Sequence, residues 1–408
     1  MGAVIFTRAH MDGRWKAMAF LSAGTLFSMS LWFSASAVAP VLIKDWHISD
    51  STAAWLTLAV QIGFVIGTLI SAIFNLPDII NSRRFMAICA MLAALSNALL
   101  AVFSNDPASA IVLRFFTGMF LGGVYPPAMK VMASWFRTGR GMAIGVLIGA
   151  LTLGKAFPYL VNAFQMENWR QNLLIVSALS ILGAFVVFFL LSDGPYQQPS
   201  AKFDLSQARK VFGNRGVRLA NFGYLGHMWE LYAMWTWSPA MIRASFSAQE
   251  ISHSSAEAIS FLTIGAGAIG CVAAGVLADR YGRTLIASAA MIISGACCIA
   301  VGLLFAKPLW LIVITLIWGA SVVADSAQFS TCVTELGDSR YIGTALTLQT
   351  CLGFLLTVIS IKIISVAVSL IGWRYAFMLL APGPFLGTLA MLRLRKLPEA
   401  IQIAQGKR

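Results

Sequence analysis

Twelve predominantly apolar runs, each about twenty residues long, follow one another along this chain and leave it few ways to fold. A bilayer core is ~30 Å thick, and about 20 helical residues cross it. Within that core the backbone must satisfy its own hydrogen bonds, so each run predicts a helix. The expected spans are 17–42, 53–74, 85–103, 109–133, 142–165, 171–192, 217–241, 257–277, 284–305, 309–332, 341–368 and 375–392. Only 29 basic and 16 acidic residues occur among 408, or 11% charged where an ordinary globular chain has about 25%. No water-soluble surface of this size can be built from so few charges. Disordered, collagen-like and disulfide-stapled classes are excluded too, which leaves an all-α polytopic membrane protein. The six cysteines all fall inside apolar stretches with no CxxC pair, as small core residues do. The first run ends without a small-residue cleavage site and is expected to be a span, not a removed signal peptide.

Connections are short except for the polar stretch 193–216, which divides the chain into 1–192, a linker and 217–408. Counting basic residues on alternate sides places 20 with the two termini, including Arg8, Arg137 and Lys202. Five lie opposite: Lys44, Arg170, Arg243, Lys307 and Arg374. The positive-inside rule then puts both termini and the linker in the cytoplasm, in the plasma (bacterial inner) membrane. Spread over many loops, these residues account for the net charge of +13 by topology and anionic lipid, not by nucleic acid. A monomer is expected.

The halves repeat. The loop after span two reads Asn-Leu-Pro-Asp78, then Asn-Ser-Arg83-Arg84, and that after span eight reads Gly-Val-Leu-Ala-Asp279-Arg280-Tyr-Gly-Arg283. The two aspartates are 201 residues apart, and the Trp169-Arg170 and Trp373-Arg374 pairs are 204 apart. Parallel six-helix repeats are a known transporter plan. GVLADRYGR resembles the signature loop of the major facilitator superfamily, NLPDIINSRR its degenerate first copy, and Arg114-Phe-Phe-Thr-Gly118-Met-Phe-Leu-Gly122 its span-four motif. The resemblance covers essentially the whole chain. It implies two pseudo-symmetric six-helix bundles around a cavity lined by spans one, four, seven and ten, with two, five, eight and eleven contributing. It also implies transport by alternating access, with Asp78, Arg83, Asp279, Arg280 and Arg283 forming a breakable cytoplasmic gate.

Ionisable groups deep in a span are costly and mark functional sites. Lys155 lies 13 residues into span five, ~20 Å deep at 1.5 Å per residue. Thr152, Tyr159 and Asn162 fall at helical spacing from it, predicting a polar stripe that binds substrate. Glu230 is equally deep in span seven, with His227 and Tyr224 preceding it at intervals of three residues, and the strip reads as a proton path. Trp229, Trp235 and Trp237 surround it as cavity wall or packing. Asp325 and Gln328 share a face of span ten, the first as a coupling group and the second toward substrate. Arg114 joins the coupling set by resemblance, whereas Lys130 and Lys362 lie near the membrane edges and can snorkel.

Gly265-Ala-Gly-Ala-Ile-Gly270 fits a dinucleotide pattern, but no strand precedes it; small residues there let helices approach closely. The four histidines lack metal-ligand spacing, and no P-loop, GxSxG or HExxH occurs, so no cofactor, metal or ATP-driven step is expected. A polytopic enzyme or sensor would need a catalytic set or added domain that the sequence does not show. Two transport readings stand. One is proton-coupled uptake of a small organic anion drawn by Lys155. The other is proton-driven export of lipophilic or cationic compounds using Glu230 and Asp325, against which Lys155 argues. Some likeness to nitrate/nitrite-like and cyanate-like branches exists, but the arginines and Gly-Asn pattern of the nitrate branch are missing.

Overall fold

The computed structural model describes residues 2–136, 139–164, 168–196, 203–338 and 340–408, with residues 2–12 described by backbone alone. Arg137, Lys202 and the Arg8 side chain therefore lie outside the described residues. Twelve long helical segments cross the molecule. In order they are α1 Gly2–Met29, α2 Asp50–Ile73, α3 Ser82–Phe103, α4 Pro107–Trp135, α5 Arg140–Ala163, α6 Trp169–Leu190, α7 Arg215–Ala248, α8 His253–Tyr281, α9 Arg283–Leu304, α10 Pro308–Leu336, α11 Ile342–Ile371 and α12 Trp373–Arg395. Ten are long and apolar enough to cross a membrane; α1 and α7, which carry more polar residues, complete the set. Those two also extend furthest past the apolar runs, starting at Gly2 where 17 is expected and ending at Ala248 where 241 is expected. Helical hydrogen bonding continues into interfacial polar sequence that a hydropathy ruler discards.

The duplication is written into helix ends as well as loops. Helices α3 and α9 start at 82 and 283 and end at 103 and 304. Helices α4 and α10 run 107–135 and 308–336, each beginning on proline, whose missing N–H costs nothing at a first helical position. Both break midway, α4 at residues 122–124 and α10 at 323–325. All these pairs share one offset of 201 residues, that of Asp78 and Asp279. Helix α1 also breaks, at residues 30–33, and continues outward as Ser34–Ala37 and Ala39–Asp45.

Close packing rests on glycine. A Cβ at Gly63 or Gly67 of α2 would fall on the Phe115 or Met119 backbone of α4, and one at Gly118 would fall on Val60. Two seams join the bundles, α5 along α8 and α2 along α11. Along the first, Gly145 faces the Cys271 carbonyl and Gly141 abuts both the Gly275 region and the Asp279 carboxylate. These seams enclose the middle of the molecule between the halves.

Candidate functional site

A central cavity of about 50 Å³ lies where the broken helices meet. Its wall takes Trp32 from α1, Phe64 from α2, Tyr125 from α4, Lys155 from α5, Tyr224, Tyr232 and Trp235 from α7, Ser326 and Ser330 from α10, and Phe354 from α11. So small a space holds a few waters; the halves must part to admit a solute.

Lys155 is 2% exposed, and its ammonium ends in a cage of rings. Nζ lies 4.1 Å from the ring centroid of Trp32, 4.4 Å from that of Tyr232 and 5.1 Å from that of Trp235, and it donates to the Tyr232 hydroxyl. Among the described residues no carboxylate lies within ion-pair distance of it. Cation–π contacts offset part of the desolvation cost but supply no counter-charge. The rings form one cluster of edge-on and tilted contacts: Trp32 meets Phe64 at 5.1 Å and Phe354 at 5.7 Å, and Tyr232 meets Phe354 at 5.0 Å between centroids.

The rest of the expected binding set lies elsewhere. Thr152 bonds back to the Ile148 carbonyl of its own helix, and Asn162 donates to the Ala37 carbonyl of α1 at 3.1 Å. Tyr159 is fully buried away from the cavity wall. Gln328 accepts from Arg283 at 3.3 Å and is also outside the wall. Of the stripe on α5, Lys155 alone lines the cavity. Helical spacing chooses a face, but α5 is buried on most of its circumference and its other polar groups tie helices together. What the sequence reading missed are Trp32 and Tyr232 of the cage and Phe354 packed against both. The serine-interrupted run Ser28-Met-Ser30-Leu-Trp-Phe-Ser34 was the available signal, since it marks where α1 breaks.

Arg114 is also placed differently from expectation. It is fully buried and donates to the Leu31 carbonyl at 2.9 Å, the Leu56 carbonyl at 3.2 Å, Ser34 Oγ and Asn97 Oδ1 at 3.1 Å, and the Trp32 carbonyl. The guanidinium bonds the Leu31 and Trp32 carbonyls at the α1 break and the Leu56 carbonyl of α2, and among the described residues it pairs with no carboxylate. Resemblance gives Arg114 a coupling role; the structure places it at the α1 break, bonded to the Leu31 and Trp32 carbonyls.

The three-residue strip on α7 fans out. Each three-residue step turns back by about 60°, so Tyr224 and Glu230 point about 120° apart. Tyr224 reaches the cavity. His227 turns to α10, its Nδ1 2.8 Å from Asp325 Oδ1 and its Nε2 with no hydrogen-bond partner among the described residues. Glu230 turns into the second bundle, where it accepts from Trp318 Nε1 at 2.5 Å, Ser294 Oγ at 2.9 Å and Cys298 Sγ at 3.1 Å. Asp325 ends the α10 break beside Val323 and Ser326, both cavity residues, so the pair adjoins the cavity while Glu230 stands behind it.

At the face carrying the chain termini, Arg283 forms a two-point bond to Glu335 (Nη2–Oε1 2.9 Å, Nε–Oε2 3.0 Å) and reaches Asp279 at 3.3 Å. Asp279 in turn sits against Gly141, at the start of α5 in the other half, where a helix N-terminus favours a carboxylate. The first-half copy differs. Asp78 pairs with Lys130 of α4, while Arg83 donates to the carbonyls of Phe188 (2.8 Å) and Leu191 and lies 3.6 Å from Asp193. Arg280 lies over the ring of Tyr281, at 5.1 Å, and makes no ion pair among the described residues. Lys362 donates to Ser51 of α2 and so ties the halves at the opposite face.

Twelve helices in two six-helix halves, joined along two seams around a central cavity, form the architecture of a membrane transporter. Residues 20–361 match the sequence model of the Major Facilitator Superfamily, and the chain belongs to that family. It is 22% identical over 303 residues to a gallate transporter of Pseudomonas putida, covering 65% of this chain and 66% of that protein. It is 26% identical to a probable sulfoacetate transporter of Cupriavidus necator over 43% of this chain and 44% of that one. With the 4-hydroxybenzoate transporter PcaK of Pseudomonas aeruginosa it shares 26% over 38% and 35%. The matched regions thus span less than two thirds of these relatives' own lengths. The solved structure of the proton:xylose symporter XylE, bound to 6-bromo-6-deoxy-D-glucose, has the same fold, with a TM-score of 0.74, 14% identity and coverage of 94% and 96%.

Proposed function

We propose that this transporter takes up a small organic anion together with protons, and that the preferred substrate carries a carboxylate on a planar ring. The observation that carries this reading is Lys155: a buried cation, walled by three aromatic rings, with no carboxylate among the described residues within ion-pair distance. An anionic solute supplies the missing charge, and the rings suit a flat, apolar body. Gallate, sulfoacetate and 4-hydroxybenzoate, named for the relatives, are all organic anions at neutral pH. Export of cations fits less well. Lys155 repels a cation, and Glu230 is enclosed by donors within the second bundle instead of lining the cavity.

In this reading His227 and Asp325 exchange a proton with the cavity, and Glu230 holds it behind them. Residues 1–192 and 217–408 rock as two bodies about the 193–216 linker. The terminal face looks into the cytoplasm, in the plasma membrane, and Asp279 against α5 holds that side shut. The chain works as a monomer. Counterflow of 4-hydroxybenzoate in proteoliposomes tests the substrate assignment. Wild type should exchange it, and Lys155→Gln should not while keeping its helical circular dichroism. Unimpaired exchange by the variant would overturn the anion reading.

A further inference from the structure

Outward of the aromatic cage, at the face opposite the termini, lies a second space of about 350 Å³ between the halves, within the usual range of small-molecule sites. Helix α7 runs past both. Tyr232 and Trp235 face the central cavity, and Trp237 and Arg243, one to three turns further along, face the outer one. Tyr232 touches Trp32 and Trp235, and all three line the central cavity but not the outer one.

The outer wall repeats the chemistry of the inner one. Lys44, from the first half, makes no ion pair among the described residues. Arg243, from the second, gives one N–H to the fully buried Glu257 at 2.9 Å, and the described structure shows no other bond to its guanidinium. Most of its planar fork is therefore unspent at the wall, in the shape that binds a carboxylate through two bonds. Trp237 and Trp373 lie with centroids 6.4 Å apart and line the same space. Asp50 is there too, so Lys44 and the Glu257-bound Arg243 give no strong net field. Selection must come from directed donors and ring faces, which suits a weak staging site.

We propose that this vestibule is a second binding site for aromatic carboxylates, occupied before the solute reaches Lys155. The proposal rests on the anion reading of the central cavity, and the two fail separately. Benzoate binding to the full-length protein in nanodiscs would be measured by equilibrium dialysis. Wild type should bind two equivalents, Lys155→Gln one, and the double variant Arg243→Gln/Glu257→Gln, which removes the pair together so that no buried charge is orphaned, one. Combining all three substitutions should leave none. The exposed Lys44→Gln should fold normally and weaken the outer site at least threefold. A Lys155→Gln protein that binds no benzoate overturns the vestibule and leaves the central site standing. Two equivalents retained by Arg243→Gln/Glu257→Gln also overturn it. Two equivalents retained by Lys155→Gln would instead overturn the central reading, and no saturable binding to wild type would overturn both.

Discussion

Lys155 in the first half donates a hydrogen bond to the hydroxyl of Tyr232 in the second, at the wall of the central cavity with both side chains almost fully buried. With the cavity collapsed, the hydroxyl occupies the ammonium's one strong polar contact, and a substrate carboxylate must take its place. Binding therefore breaks a tie between the halves at the moment the solute arrives. We expect Tyr232→Phe to bind 4-hydroxybenzoate several-fold more tightly, because the competitor is gone, yet to transport more slowly because the empty carrier has lost a contact that closes it. Binding and counterflow on the same preparation separate these effects. Weaker binding by Tyr232→Phe would mean that the hydroxyl helps hold substrate.

Arg114 acts one shell further out. It fixes the Trp32 carbonyl, and the Trp32 ring lies under Lys155. Bonds to a charged donor are worth about 1.5–3 kcal/mol each, and orphaned buried carbonyls add to the loss. Arg114→Gln should lower the unfolding temperature clearly and weaken binding about tenfold, with Arg114→Lys restoring little, since an ammonium cannot span carbonyls on both α1 and α2. An unfolding temperature equal to wild type would show that the α1 break holds without it.

The architecture was legible in the sequence because spanning helices obey a length rule and because duplication leaves pairs such as Asp78 and Asp279 at a fixed offset. Lys155 could be found for a related reason: a lone cation in an apolar run is expensive wherever the helix turns. Partnership was not legible. Whether Arg83 meets Asp78 or the carbonyls of α6, or whether Arg283 meets Glu335 52 residues away, depends on which helices pack together. Depth counts residues along one helix and carries no azimuth, so Glu230 and Lys155 at equal depth end in different compartments.

Glu230 and His227 should affect coupling, not recognition. A glutamine at 230 can still accept from Trp318 through its amide oxygen, and its NH2 can donate to the Ser294 hydroxyl, but it cannot exchange a proton. Glu230→Gln is expected to keep counterflow within about twofold of wild type and to lose accumulation driven by an imposed proton gradient. His227→Gln should do the same if the His227–Asp325 pair is the gateway. Loss of counterflow in step with accumulation would place these groups in the substrate site.

Glycines at two seams should respond differently to the same added methyl group. At Gly67 of α2 the new Cβ meets the Met119 backbone, which cannot move without shifting α4, so Gly67→Ala should cost about 1–3 kcal/mol of stability. At Gly141 of α5 it meets the Asp279 side chain of the other half, whose carboxylate can rotate away. Gly141→Ala should leave unfolding nearly unchanged and open the terminal face, seen as a longer spin-label distance between the ends of α5 and α8. Equal losses of stability at both positions would argue that the α5–α8 seam is a fixed part of the core.

The gate offers the last comparison, between two arginines three residues apart. Arg283 joins Asp279 at the end of α8 to Glu335 at the end of α10, while Arg280 covers the ring of Tyr281 and makes no ion pair among the described residues. Both belong to one loop motif, and sequence alone gave them one role. If the network steadies the Asp279 carboxylate against the N-terminus of α5, removing Arg283 frees that carboxylate to turn toward water, and the terminal face loses its lock. Asp279→Asn and Arg283→Gln should then each slow turnover about tenfold with substrate affinity near wild type, because neither group lines the cavity. Arg280→Gln should stay within twofold in both measurements. Asp279→Asn combined with Arg283→Gln should be no slower than either alone, since both act through one contact. Additive losses, or a fall in affinity matching the fall in rate, would count against a single latch.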